Sequence, residues 1–413
     1  MKLWLYFLVL SLILVSGSVD SQGNTLEVET VEVPLSNEIG SYIIIFFITA
    51  LANSAGIGGG PLTICVLLYL MYYENTHALA VSQATILGGS LVASTIKMSF
   101  KHPYKGGPLI DYNLVAFISG CLVAGSSTGS LLTRIAQGWM TLLGLSILLW
   151  IISYVTLTKA IELYRKESEA KSQSKELHES LIGQTEPADD SWTPKILIIF
   201  SLLLLIIFSM VKGDKEFHSI VGIEQCSSEY FGVIIGYFGI VLLQTAFTAV
   251  YISRKTSNSE SKPHEFKLEG KVIYILPIVT FITGLLAGSL GIGGGLVLNP
   301  ILIVYGMLPE VSTASCNVFV FMTSISSFIQ FSMAGLIGAK EGFLLFTISV
   351  IGSCVGIFGI KKVMDKYKRA SLLVFVLGGM LILVGTMIPI NLILQIIKNI
   401  EEGTFTFALR SIC

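Results

Sequence analysis

The sequence predicts an all-α polytopic membrane protein built as two inverted repeats, and three observations carry that prediction. Of its 413 residues, 53% are hydrophobic and 13% are charged, against about 25% charged in an ordinary soluble domain. The pentapeptide Gly56-Ile57-Gly58-Gly59-Gly60 returns as Gly291-Ile292-Gly293-Gly294-Gly295, each copy inside a long apolar stretch. Lysine and arginine are concentrated in alternate polar segments. Lipid offers no partner for a free peptide group, so apolar chain in a bilayer is helical. A glycine cluster interrupts that helix, and here it does so at matching places in both halves.

Lys2, an apolar run over 3–15 and the small residues Ser16, Gly17 and Ser18 read as a signal peptide over 1–18. Residues 19–38 then lie on the lumenal or extracellular side. The first repeat covers 39–160. Its opening block, 39–73, is too long for one straight span of about 20 residues. Broken at 56–61, it predicts two short helices folded back as a hairpin. Spans near 78–99, 112–132 and 139–160 follow.

The segment 161–194 is rich in Glu, Lys, Ser and Gln and reads as a flexible cytosolic linker. An inserted helix pair occupies 195–252, with spans near 195–212 and 229–252. A second cytosolic linker covers 253–270. The second repeat, 271–397, has a block over 271–308 broken at 291–295. Spans near 311–338, 342–360 and 371–397 follow, then a tail over 398–413. Ala80-Val81-Ser82-Gln83 falls in the frame of Ala314-Ser315-Cys316-Asn317, and Gly120 and Gly352 fall in equivalent spans.

Charge placement supports the hairpins. If each broken block enters and leaves on one side, the cytosolic segments hold Lys101, Lys105, Arg165, Lys166, Arg254, Lys255, Lys361 and Lys362, among others. The outside loops hold Arg134, Lys215 and Lys340. That distribution obeys the positive-inside rule, and treating each block as a single span would reverse it for the first three basic segments. The first block then opens outward and the second inward, which is the inversion. The C-terminus lands outside.

Glycines at a helix break free the N–H groups that open the next short helix, where the backbone carries partial positive charge. Such N-termini bind anions without a lysine, and transporter folds converge discontinuous helices on substrate near the bilayer midplane. The candidate substrate-binding residues are therefore Gly58, Gly59, Gly60, Thr63, Ser82, Gln83, Gly293, Gly294, Gly295 and Asn317. Asn53, Ser54, Ser289 and Asn299 flank the breaks. Neutral amides and hydroxyls donate to oxyanions without burying a charge. Gln83 and Asn317 stand at one matched place in the repeat. The bland reading of these groups is helix packing and helix–helix hydrogen bonding.

Other chemistries find little support. The spans read as lacking a central Asp, Glu, Lys or Arg, which leaves coupling open. The cysteines at 65, 121, 226, 316, 354 and 413 show no metal-ligand spacing. Cys226 and Cys413 lie outside the predicted spans, and their pairing stays open. Gly288-Ser289-Leu290-Gly291 does not fit a nucleophile elbow. No catalytic residues, cofactor or metal are expected. A net charge of −1 points to no nucleic-acid partner; the partners expected are a small anionic solute and the lipid bilayer. A homo-oligomer is compatible with the sequence.

The Gly-Ile-Gly-Gly-Gly-Pro start at 56–61, the 80–83 region, and the approach at 107–111 resemble the TauE/SafE family of sulfite and organosulfonate exporters. The second half repeats the signature at 291–295, 314–317 and 334–337. The resemblance implies export or exchange of small sulfur-containing oxyanions such as sulfite, or of related organic anions, and the inverted repeats predict alternating access. Leu296 stands where the first copy has Pro61. An anion channel remains an alternative, as does a non-transporting scaffold or trafficking adaptor working through 161–194. The secretory pathway, the plasma membrane or another endomembrane would be its place.

Overall fold

The computed structural model describes residues 34–102, 107–173, 192–214, 219–224, 227–257, 270, 272–367 and 371–401. The signal-peptide reading of 1–18 and the Cys226–Cys413 question lie outside them. Twelve helices make up the described architecture: α1 Leu35–Ser54, α2 Gly60–Tyr69, α3 Asn75–Lys97, α4 Tyr112–Ile135, α5 Gly138–Gln173, α6 Trp192–Lys212, α7 Ser228–Ser257, α8 Val272–Leu290, α9 Gly295–Val304, α10 Pro309–Met333, α11 Ala339–Tyr367 and α12 Ser371–Glu401. Ten are long and apolar enough to cross a membrane, which makes this an integral multi-pass membrane protein. The other two, α2 and α9, have 10 residues each. At 1.5 Å per residue each reaches about half of a ~30 Å hydrocarbon core.

Both breaks close in the same way. Gly56 and Gly291 take left-handed φ values of 79° and 67°. One residue on, Ile57 N–H donates to Ala52 O at 3.0 Å and Ile292 N–H to Ala287 O at 3.1 Å. This is the helix-ending turn in which a C′ glycine lets the chain reverse and return a donor to the last turn. Beyond it the copies diverge. Gly58 and Gly59 keep φ of 83° and 77°, and Pro61 starts α2 in the first turn. In the second copy Gly294 is right-handed, with φ −54°, and its N–H donates to Thr323 Oγ1 at 3.0 Å.

Each block enters and leaves at one end of the bundle. Tyr73, just past α2, packs on His77 with ring centroids 4.7 Å apart and the planes tilted by 40°, and His77 Nε2 lies 3.4 Å from Glu341. Tyr42, near the start of α1, is close enough to feel both Glu341 and Tyr73. Burial, then the hydrogen bond to Glu341, pushes the Tyr73 phenol up, so it stays a proton donor. In the second block Tyr305, just past α9, faces Val272 and Leu276 at the start of α8 across a small apolar recess. The blocks open to opposite ends, because the end of α3 meets the start of α10 near Cys316.

Helix pairings recur with the halves exchanged. The α4–α8 contact is matched by α11–α1, α4–α10 by α11–α3, and α5–α9 by α12–α2, while α3–α10 and α5–α12 pair with themselves. The inserted α6 and α7 lean on α4. Apolar side chains facing outward, such as Leu242, Leu243 and Phe247 on α7, suit lipid.

Small residues set the closest packing. Lipid supplies no hydrophobic drive between helices, so close backbone approach has to provide the attraction. Gly125 and Gly129 on α4 face Gly284 and Gly288 on α8, two GxxxG pairs meeting at backbone distance. On the matching contact Gly352 and Gly356 of α11 lie against the α1 backbone at Phe46 and Ala50.

A Cβ at Gly284 would land on the carbonyl oxygen of Leu122. Gly284→Val should therefore destabilise the protein by about 1–3 kcal/mol or more, read as a lower melting temperature of the purified protein in detergent. Gly236→Val, at a glycine with nothing within 4 Å, should not lower it.

Candidate functional site

The two glycine segments lie against one another at the centre of the bundle, antiparallel and buried along their length. A Cβ on Gly60 would stand 2.6 Å from Gly291 O, and one on Gly293 2.9 Å from Ile57 O. Gly295 in turn abuts Gly56 O. Val320 of α10 and Ile86 of α3 close over Gly58. Among the described residues no protein acceptor meets the N–H groups of Gly58, Gly59 or Gly60. Those donors open α2, where the dipole is positive.

The matched helix end is negative, and its carbonyls are taken up one by one. Asn53 O accepts from Asn317 Nδ2 at 3.1 Å and from Lys97 Nζ at 3.4 Å. Ser54 O accepts from Lys97 Nζ at 3.1 Å. Ala55 O accepts from Asn299 Nδ2 at 3.0 Å, and Asn299 Oδ1 accepts from Ser312 at 2.6 Å. Three helices, two of them from the other half of the chain, thus cap the last turn of α1. The exit of α8 is capped more lightly. Thr133 Oγ1 donates to Gly288 O at 3.3 Å and Ser289 O at 2.9 Å, and Ser82 Oγ reaches Gly291 O at 3.5 Å.

The residues expected from sequence fall in different places. Gly58, Gly59, Gly60, Gly293, Gly294 and Gly295 share the central crossing. Thr63 spends its hydroxyl on Gly59 O at 3.1 Å, within its own helix. Ser82 also donates to Leu79 O at 2.8 Å, so it seals the break. Asn317 caps Asn53 and leaves its buried Oδ1 without a partner; Asn53 Oδ1 is likewise unpartnered, as is Gln83 Nε2. Gln83 is 1% exposed, so that bare donor is costly unless something binds it.

The reading of the spans as free of embedded charge needs a correction. Lys97 is 6% exposed at the end of α3 and folds back along the helix to the break. A lysine close to Lys101 and the end of a predicted span passes for an interfacial anchor in sequence. Only the packing of α1 against α3 shows where its ammonium goes. No cluster of three or more His, Cys, Asp or Glu suited to a metal occurs among the described residues.

A multi-pass helical bundle, with two half-length helices meeting at buried glycine breaks, defines the membrane-transporter class of architecture. The family model for the sulfite exporter TauE/SafE matches residues 41–388, and the chain belongs to that family of membrane transporters. Sulfite exporter TauE/SafE family protein 1 of Arabidopsis thaliana is 26% identical over 376 residues, covering 86% of this chain and 83% of that protein. Family protein 5 of the same plant is 26% identical over 378 residues, covering 85% and 82%. Family protein 2 is 24% identical over 362 residues, covering 81% and 78%. No solved structure matches the chain.

Gly58→Ala places a methyl 2.6 Å from Val320 Cγ1 and 2.9 Å from Ile86 Cγ2 at a left-handed φ. It should lower the melting temperature, and adding Val320→Ala should recover part of the loss. The conformational part, about 1–2 kcal/mol, should remain in the double variant.

Proposed function

We propose that this protein is a secondary transporter for a small anion, of the sulfite or organosulfonate class, working by alternating access. The observation that carries the reading is the central crossing. Unmet N–H groups of Gly58, Gly59 and Gly60 lie near the buried Lys97 amine, which has no carboxylate among its hydrogen-bond partners. Together they form a donor-rich locus of low dielectric, where an oxyanion would accept from the helix N-terminus and favour the protonated lysine. The family's name, sulfite exporter, supports the substrate class.

The two halves act as inverted repeats in this reading. Support comes from the exchanged helix pairings and from blocks that open to opposite ends of the bundle. Rocking one half on the other would uncover the crossing first from the His77 end and then from the Lys97 end. The substrate-contacting set is Gly58, Gly59, Gly60, Gly293, Gly295 and Gln83, with Asn317 and Lys97 at the capped end of α1. Thr63, Ser82 and Gly294 hold the breaks in shape.

The test is uptake of radiolabelled sulfite, sulfate and taurine-like sulfonates into proteoliposomes. Wild type should show saturable flux of at least one of them, and Gly59→Leu and Gly294→Leu should abolish it while leaving protein in the membrane. Lys97→Met should cut flux by at least roughly tenfold, the scale of a lost hydrogen bond to a charged group, and Lys97→Arg should restore part of it. Full flux in the glycine variants would remove the glycine site. Flux indifferent to any proton or counter-substrate gradient would turn the reading toward a channel.

A further inference from the structure

At the opposite end of the bundle from Lys97 lies a second buried ammonium. Lys212 closes α6, is 1% exposed, and donates to Gln330 Oε1 at 2.7 Å. Gln330 is held by its own amide, which donates to Ser127 Oγ at 3.2 Å and Ser209 Oγ at 3.1 Å. Its Oε1 is therefore fixed toward the lysine. Arg134, at the end of α4, grips Asp214 at two points: Nη1 to Oδ1 at 2.7 Å and Nη2 to Oδ2 at 2.6 Å. The same Nη2 reaches Gln330 O at 3.0 Å, so both cations meet on one glutamine.

Among the described residues two basic side chains face one carboxylate, Asp214, which the guanidinium engages directly and which acts on Lys212 through space. An ammonium has three donors, and one bond is formed here by Lys212. The Nε of Arg134 is buried with no partner at all. Unspent donors and surplus positive charge inside a bundle are expensive unless an anion completes them.

The position is also the counterpart of Lys97. In the frame that matches 80–83 with 314–317, residue 97 falls at Phe331, next to Gln330. On α3 the lysine belongs to the helix itself. On α10 the corresponding place is neutral, and α6 delivers the ammonium from outside the repeat. We propose that the inserted helix pair builds a docking site for a small oxyanion at this end, held by Lys212 Nζ and Arg134 Nε. This deepens the transport reading above and rests on it. Asp214 offsets part of the positive charge, so a docked anion is held without being trapped.

The experiment compares half-saturation for radiolabelled sulfite offered at each face of membranes in which the full-length protein has a single orientation. Lys212→Met should raise half-saturation at the Lys212 face by at least roughly tenfold, with the other face unchanged within about twofold. Lys212→Arg should keep most of the affinity. Gln330→Glu gives the ammonium an internal counter-ion; it should weaken binding at the same face, although it adds an ion pair. A merely structural lysine predicts no such loss in Gln330→Glu, and that variant decides the matter if Lys212→Met fails to fold. Sulfite flux with unchanged half-saturation in these variants would overturn the docking site and leave the transporter intact. Absence of sulfite flux in folded wild type would overturn sulfite as substrate and the docking site with it.

Discussion

A helix that stops inside a bilayer must find partners for its last carbonyls and for the first N–H groups of the next helix, because lipid provides none. That requirement, met twice at the centre of this bundle, organises the rest. Each break is closed by the same glycine-based reversal, so part of the burden is met locally, by Ile57 and Ile292 returning to the preceding turn. The remaining carbonyls need side chains from elsewhere. Asn299 and Asn317 come from the second half of the chain and Lys97 from α3. Capping is thus also the means by which the two halves are tied together.

The tie is asymmetric. The exit of α1 carries an ammonium and two amides, whereas the exit of α8 carries the hydroxyls of Thr133 and Ser82. Partial negative charge at a helix C-terminus favours a cation, yet only one end has it directly. The other ammonium, Lys212, sits on α10 through Gln330. A buried lysine therefore stands at both ends of the α3–α10 pair by two different routes. Close glycine contacts between α4 and α8, and between α1 and α11, join the two halves at backbone distance, so both seams between the halves depend on small residues.

The sequence was legible where local chemistry is decisive. Apolar length gives the spans, and a long apolar block with glycine inside it gives the broken hairpin, but the expectation of two short arms is corrected: α1 and α8 have 20 and 19 residues and only α2 and α9, with 10 each, are short. The repeated pentapeptide marks both breaks, and the TauE/SafE resemblance rests on those same residues. Gly58 and Gly59 needed their left-handed backbone, and that need is visible as glycine itself. The charged segment after 160 was harder, because α5 continues as helix to Gln173: Glu, Lys and Gln are good helix formers when nothing asks them to stop.

What sequence by itself determined is the class of protein, the place of each break and the family, since these derive from hydrophobic length and from glycine's unique freedom. Tertiary structure alone decided which polar groups share the centre. Thr63 and Ser82 resemble Asn317 as neutral donors in a span, yet Thr63 bonds within its own helix and Asn317 reaches across to Asn53. Lys97 resembles Lys101 as a basic residue near a span end, yet it turns back to cap α1. Arg134 lies far along the chain from Lys212 and Asp214, and the three meet on Gln330 or each other. A long flexible side chain can lie in water or reach inward with equal ease from the same position. Only the neighbouring helix, with its unfilled carbonyls, chooses between them.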